Sequence, residues 1–510
     1  MLRLSKPLVL FGIGVIALVL FAFIFRLANL TEIPIFADEA IYIRWAQVMR
    51  AEPTLRFVPL SDGKQPLFMW TVIPFLKLFQ DPLIAGRMVS VLSGVSTLLG
   101  IIALNFIISK SKKSALFSGF LYALSPFVFF FDRMALVDSM LAMFGVWFFV
   151  FLILAIQKMR FDFAMLSGFM LAGSLLTKSP GLFFALMTPL SVFFLRGKEQ
   201  PRILTAAKVA GIWITTFVIG YGLSQIMRLG PNYHMIAIRN LDYVFPFDHI
   251  LQNPRDPFIY NIDRALEWLV ALAPFELLIA AVGGYFVLVK KKPFQAVTLV
   301  LLFAFPFLVG SMYSKAFTAR YILYTLPPLF VLGGFVTFVK AKYVIPFALL
   351  FALHSMSILT MFWQKPVDAP LPQSERSGYF QEWSAGWGIA ETAALVRKEA
   401  LLHPDEKIVI GTEGYFGTLP DGLQVYLEKV PNVTIIGTGL NFKKIPDSLI
   451  ASKQSGNKTY FVVNSSRLNE EFKKEGLNLL YSYVKPARTP GTHEYVQSGP
   501  QETYYFFELK

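Results

Sequence analysis

The chain has 510 residues, of which 55% are hydrophobic, 15% aromatic and 16% charged, and it contains no cysteine. Soluble domains carry about 25% charged residues, so an ordinary cytosolic enzyme is disfavoured, and the lack of Cys excludes disulfides and thiolate metal sites. The formal charge of +14 does not point to nucleic acid, because residues 1–363 hold 31 Lys+Arg against 16 Asp+Glu whereas residues 364–510 hold 16 against 17.

The first apolar run, 8–25, follows Arg3 and Lys6 and has no small-residue cleavage site, so it reads as a retained signal-anchor helix with its N-terminus inside. Further runs at 84–109, 114–131, 137–157, 162–176, 180–195, 203–226, 267–289, 294–312, 320–339 and 343–362 bring the predicted spans to eleven. Simple alternation makes 1–6, 110–113, 158–160, 196–208, 290–292 and 340–342 the cytoplasmic loops. They collect 16 Lys/Arg with Glu199 as the one clear acid, a positive-inside pattern. An odd span count then puts the tail, from about 364, outside. Two outside loops are long, 30–83 and 227–266, and their mixture of aromatics, Pro and charges predicts interfacial helices.

In the tail the apolar density falls. Strands are predicted at 407–410, 433–436, 459–463, 479–484 and 503–507, and helices near 388–402, 421–429 and 443–452. The expected fold class is therefore mainly α, a polytopic membrane protein, with a C-terminal extracytoplasmic α/β domain. The domains expected are 1–363 and 364–510.

Candidate chemistry gathers on the predicted outer face. Asp38-Glu39 sits in an otherwise apolar stretch, where carboxylates mark a functional site by default. Adjacent helical residues point about 100° apart, so one acid can serve as general base while the other anchors the loop. The plain alternative is that Asp38 caps a surface helix with Glu39 in its first turn. Lys64, Arg133, Lys178, Lys315 and Arg320, the last followed by Tyr321, lie near outer span ends. Outward cations run against the positive-inside bias and need anionic partners, either protein carboxylates or a phosphate; snorkelling to lipid headgroups explains any single one. Asp132 and Asp138 flank Arg133 and could neutralise it, and Asp138 opens a helix where the dipole favours negative charge. His234, His249 and His354 lack a second ligand at i+3 or i+4, so no metal site is expected. The run Gly411-Thr-Glu-Gly414-Tyr-Phe-Gly417 does not have dinucleotide spacing and reads as a turn.

These residues resemble the GT-C superfamily of membrane glycosyltransferases, in the branch of the protein O-mannosyltransferases and bacterial lipid A aminoarabinose transferases. Asp38-Glu39 resembles the family's catalytic acidic pair. Lys64-Gln65-Pro66-Leu67 resembles its Lys/His-Pro-Pro-Leu motif, with Gln65 in place of the first proline. Arg133 to Leu141 resembles Arg-x-x-Leu-Leu-Asp-x-x-Leu, and Thr177-Lys178 with Pro180-Gly181 resembles Thr-Lys-x-x-Gly. Arg320-Tyr-Ile-Leu followed by Pro327-Pro328-Leu329 is a weaker fifth likeness.

The resemblance covers about residues 1–340 and implies an inverting glycosyltransferase, metal-independent and without cofactor. It would move a sugar from a polyprenyl-phosphate donor to a hydroxyl on a protein, lipid or glycan acceptor at the outer face of the cytoplasmic membrane. Asp38 would accept the proton; Lys64, Arg133, Lys178, Lys315, Arg320 and Tyr321 would hold the donor phosphate. Other readings are en bloc oligosaccharide transfer, a transporter or flippase for a lipid-linked sugar, and a non-catalytic receptor. Membrane lipids are partners in all of them, and nucleic acid in none.

Overall fold

A computed structural model describes residues 6–195 and 202–510. The predicted loops 1–6 and 196–208 fall partly on residues outside this range. The chain divides into two compact units, one of Met1–Asn29, Thr54–Thr71 and Arg87–Pro370, the other of Leu30–Pro53, Val72–Gly86 and Leu371–Lys510.

The first unit is helical. Among the described residues, six helices are long and apolar enough to cross a membrane unbroken: Lys6–Leu27, Pro82–Ser109, Val137–Lys158, Ile203–Leu229, Pro293–Tyr313 and Ala341–Gln364. Three further predicted spans are bent pairs instead of straight helices: Lys112–Leu124 with Pro126–Asp132 at 63°, Phe258–Leu272 with Phe275–Val289 at 102°, and Ala319–Thr325 with Pro327–Phe338 at 49°. Each break precedes a proline, which has no N–H to give the preceding turn and disfavours helical torsions in the residue before it. Ser125 (ψ 119°) and Ala273 (ψ 105°) are accordingly extended. The remaining two predicted spans are shorter apolar helices, Phe161–Thr177 and Ser179–Phe194. Of the eleven predicted runs, six are thus single long helices, three are bent pairs and two are shorter helices among the described residues.

Several buried polar groups of this unit are paired, as a low-dielectric interior favours. Arg26 and Asp132, both buried, form an ion pair at 2.9 Å, and the Tyr122 hydroxyl donates to the same carboxylate at 3.1 Å. Asp132 reaches this position because residue 94 is glycine: a Cβ there would lie 2.2 Å from its Oδ2. Asn105 Nδ2 donates to the Val331 carbonyl at 2.8 Å and secures the last broken span.

The second unit is α/β, as predicted for the tail. Its five strands are β1 (Ile408–Glu413), β2 (Val433–Gly439), β3 (Lys458–Asn464), β4 (Leu477–Val484) and β5 (Thr503–Leu509). They form one sheet in the order β2-β1-β3-β5-β4. β1 is parallel to β2 and β3, while β5 is antiparallel to β3 and β4. β1 is buried throughout, which matches its unalternating Ile-Val-Ile start; β4 is the exposed antiparallel edge. Phe442, Leu449, Phe461, Val463 and Phe507 form a core on one face.

Helix Ala37–Ala51 also belongs to this unit and packs on helix Thr418–Leu427. Arg44 donates to Gln424 at 3.1 Å, Gln47 to the Val425 carbonyl at 2.9 Å, and Arg50 to Glu428 at 2.6 Å. A cut of the sequence at 363/364 leaves this helix in the membrane part, whereas these contacts, made across nearly four hundred residues, join it to the tail.

Candidate functional site

Within the first unit, two of the predicted cations face one cavity of about 400 Å³, lined by Lys64, Lys178, Arg239, Tyr243 and Tyr321, with Phe183, Pro306 and Phe307 among its apolar walls. Local backbone chemistry places each. Gly63 ends the short turn Val58–Asp62 with φ 68°, a left-handed conformation suited to glycine. A Cβ there would lie 2.6 Å from Arg239 Cβ, so glycine also lets helix Met235–Tyr243 come close. Tyr243 on that helix accepts a hydrogen bond from Lys64 Nζ at 2.9 Å, and the ammonium lies 4.2 Å from its ring centroid.

Lys178 ends helix Phe161–Thr177 in an extended conformation. The turn Ser179–Gly181 that follows packs so tightly that a Cβ at Gly181 would lie 2.7 Å from the Ser174 backbone. Lys178 Nζ donates to Asp138 Oδ1 at 2.6 Å and lies 3.9 Å from the Tyr321 ring centroid. Gln65, where the sequence departs from the proline motif, donates to Ser179 Oγ at 2.8 Å and so ties the Lys64 loop to the Lys178 turn. Cations over tyrosine rings are partly desolvated yet stabilised, which suits them to an anion at an apolar boundary.

The other predicted residues are deployed differently. Arg320, buried, places its guanidinium 5.4 Å from the Tyr321 ring centroid, but it does not line the cavity. Lys315 donates to the Leu241 carbonyl at 2.7 Å and also lies outside the lining. The Arg133 guanidinium donates to the Ala28 and Asn29 carbonyls at 2.8 and 2.6 Å and covers the Phe129 ring. The expected neutralisation of Arg133 by Asp132 and Asp138 gives way to a different pairing, because Asp132 takes Arg26 and Asp138 takes Lys178. Sequence reasoning missed Arg239, which pairs with Asp62 at 2.8 Å, and Tyr243; neither stands in a motif, and only their shared place in the long outer loop signalled them.

Asp38 and Glu39 lie in the second unit, in the first turn of helix Ala37–Ala51. Glu39, fully buried, accepts the Phe36 N–H at 3.0 Å, so its carboxylate reaches back to the first residue before the helix, the half of a capping box that a phenylalanine allows. Glu39 anchors the helix start in this way, and Asp38 is half-buried. Among the described residues no three His, Cys, Asp or Glu side chains group as metal ligands. His354 pairs with Glu276 at 3.2 Å and His249 with Asp256 at 3.3 Å.

With this geometry established, the likeness to known proteins is specific. No curated protein matches the chain in sequence. The chain shares its fold with ArnT from Cupriavidus metallidurans in the apo state (TM-score 0.50, 14% identity, 90% of this chain and 93% of that chain). The same enzyme bound to undecaprenyl phosphate gives TM-score 0.52 at 13% identity, over 98% of this chain and 97% of that one. Residues 63–220 match the family model of dolichyl-phosphate-mannose-protein mannosyltransferase, a segment that holds both Lys64 and Lys178. The chain is accordingly a multi-pass membrane protein that resembles the mannosyltransferase branch of this fold.

Proposed function

We propose that the protein is an inverting glycosyltransferase that moves a sugar from a polyprenyl-phosphate donor to an acceptor hydroxyl on the outer face of the cytoplasmic membrane. The observation that carries this reading is the pair Lys64 and Lys178, two cations held over tyrosine rings in one largely apolar cavity. As the anomeric bond breaks, the departing polyprenyl phosphate gains negative charge. Preplaced cations in a low-dielectric site stabilise that charge more than they would in water. The ArnT structure of like fold, solved with undecaprenyl phosphate, supports a polyprenyl phosphate as the ligand class.

Lys64 and Lys178 hold the donor phosphate, Arg320 lies 5.4 Å from the Tyr321 ring that Lys178 also faces, and Asp38 takes the acceptor proton, a role worth about 10² to 10⁴ in rate. Lysine charge does the work that a divalent ion does elsewhere, so the reaction is metal-independent. The N-terminus is inside and the α/β unit outside. The test is transfer of radiolabelled sugar from polyprenyl phosphate in membranes holding wild type or Asp38→Asn; equal transfer by the two removes the mechanism.

A further inference from the structure

The second unit carries an unassigned polar and aromatic cluster at the carboxyl end of its parallel strands. In the order β2-β1-β3, the chain leaves β1 toward β2 on one side and reaches β3 on the other. Open α/β sheets bind ligands outside the carboxyl ends of strands at such a switch point. Here β1 ends in Glu413 and β3 in Asn464, both buried. Glu413 accepts the Asn464 N–H at 2.6 Å and its Nδ2–H at 2.9 Å. That leaves Asn464 Oδ1, buried, without a hydrogen-bond partner. Arg467, three residues on, places its buried Nε 3.6 Å from Glu413 Oε1, an ion pair with no hydrogen bond at that atom, and its guanidinium covers the Trp383 ring at 5.1 Å.

Beside these groups the turn Gly414–Gly417 lifts two large rings into solvent: Tyr415 is 71% and Phe416 47% exposed, and Trp383 at the same turn is 39% exposed. A group of exposed rings rimmed by polar side chains is the kind of patch that marks an interaction site. An anion is a poor occupant, since Glu413 and Asp421 both approach the turn and Arg467 is already committed in part to Glu413. Flat aromatic faces beside planar amide and guanidinium groups suit a neutral ring with an apolar face and a rim of hydroxyls.

We propose that this end of the sheet binds a neutral glycan, with a sugar ring stacked on the exposed aromatics and its hydroxyls held by Arg467 and Asn464. Identification of that glycan as the acceptor rests on the transfer reaction proposed above; the binding itself does not.

The test uses the full chain in phosphatidylcholine nanodiscs, free of sugar detergents and of lipid-linked donor. A panel of neutral hexose and pentose oligosaccharides is titrated by calorimetry. At least one is expected to bind, and Trp383→Ala and Tyr415→Ala are each expected to weaken it about tenfold or more, with Trp383→Phe partly restoring it. Unchanged circular dichroism keeps the variants interpretable. No binding by any panel member, or binding indifferent to both substitutions, overturns the proposal. So does quenching by brominated lipid of a bimane label on Tyr415→Cys, a unique site because the chain has no cysteine of its own, which would place the patch in the bilayer. Because no donor is present, failure here leaves the transfer reaction standing, and loss of the Asp38 mechanism leaves the binding result standing.

Discussion

Lys178 Nζ donates to Asp138 Oδ1 at 2.6 Å, joining the end of one membrane helix to the first turn of another forty residues earlier in the chain. Asp138 is buried and its Oδ2 has no hydrogen-bond partner, so the carboxylate depends on this lysine. Lys178→Ala is expected to lower kcat/KM for the donor by about 10² or more and to destabilise the protein by a few kcal/mol, because it strands a buried charge. The double variant Lys178→Ala with Asp138→Asn should recover most of the stability and none of the activity. Recovery of both, in thermal unfolding and transfer assays run side by side, would show that Lys178 serves packing alone.

The acidic pair separates in the same manner. Asp38→Asn is expected to lose about 10² to 10⁴ in transfer rate with little change in stability. Glu39→Gln should cost about 1 kcal/mol through a weakened helix cap and reduce activity only modestly. Transfer kinetics and thermal unfolding on both variants check this; a larger kinetic loss in Glu39→Gln would exchange the roles.

Two buried arginines of the first unit serve architecture. Arg26→Met leaves Asp132 without its cation and is expected to cost about 3–5 kcal/mol. Arg133→Lys forfeits the geometry by which one guanidinium serves the Ala28 and Asn29 carbonyls. Both should lower melting temperature while the donor KM of the folded fraction stays the same. A raised donor KM in Arg133→Lys would return that residue to the phosphate site.

Transfer should proceed unchanged after EDTA treatment and dialysis, since ammonium groups supply the positive charge. Loss of activity that magnesium or manganese restores would replace this account with a metal-dependent one.

In the α/β unit, burial raises the Asp421 carboxyl from its usual range to about 6, although it accepts the Gly417 N–H at 2.7 Å. The unfolded chain gives up this proton first, so its contribution to stability is complete below about pH 4 and is lost as pH rises through about 6. Asp421→Asn keeps an acceptor for Gly417 and has no charge to bury. It should exceed wild type in stability at neutral pH by on the order of 2–3 kcal/mol, with the difference vanishing toward about pH 4. Unfolding curves across that range decide it, and a gap independent of pH would refute the assignment.

Apolar run length and alternation are local properties, written in consecutive residues, and they located six long helices, most of three bent pairs, two shorter helices and all five strands of the tail, while the apolar helix Leu67–Leu78 read as part of an outer loop. Lysine and aspartate near the outer ends of those runs were equally visible. Their pairing was not, because a contact such as Arg26 with Asp132 or Lys64 with Tyr243 spans 106 or 179 residues and leaves no periodic trace. Three runs break just before a proline while Pro306 and Pro346 sit inside unbroken helices, and glycines at 63, 94 and 181 decided which backbones approach closely enough for side chains to meet. The sequence alone therefore determined the class of protein, its order of elements and a set of candidate charges. Only tertiary packing decided that Lys64 and Lys178 share a cavity while Arg133 holds carbonyls, since burying a charge requires a specific partner and that partner is chosen by the fold.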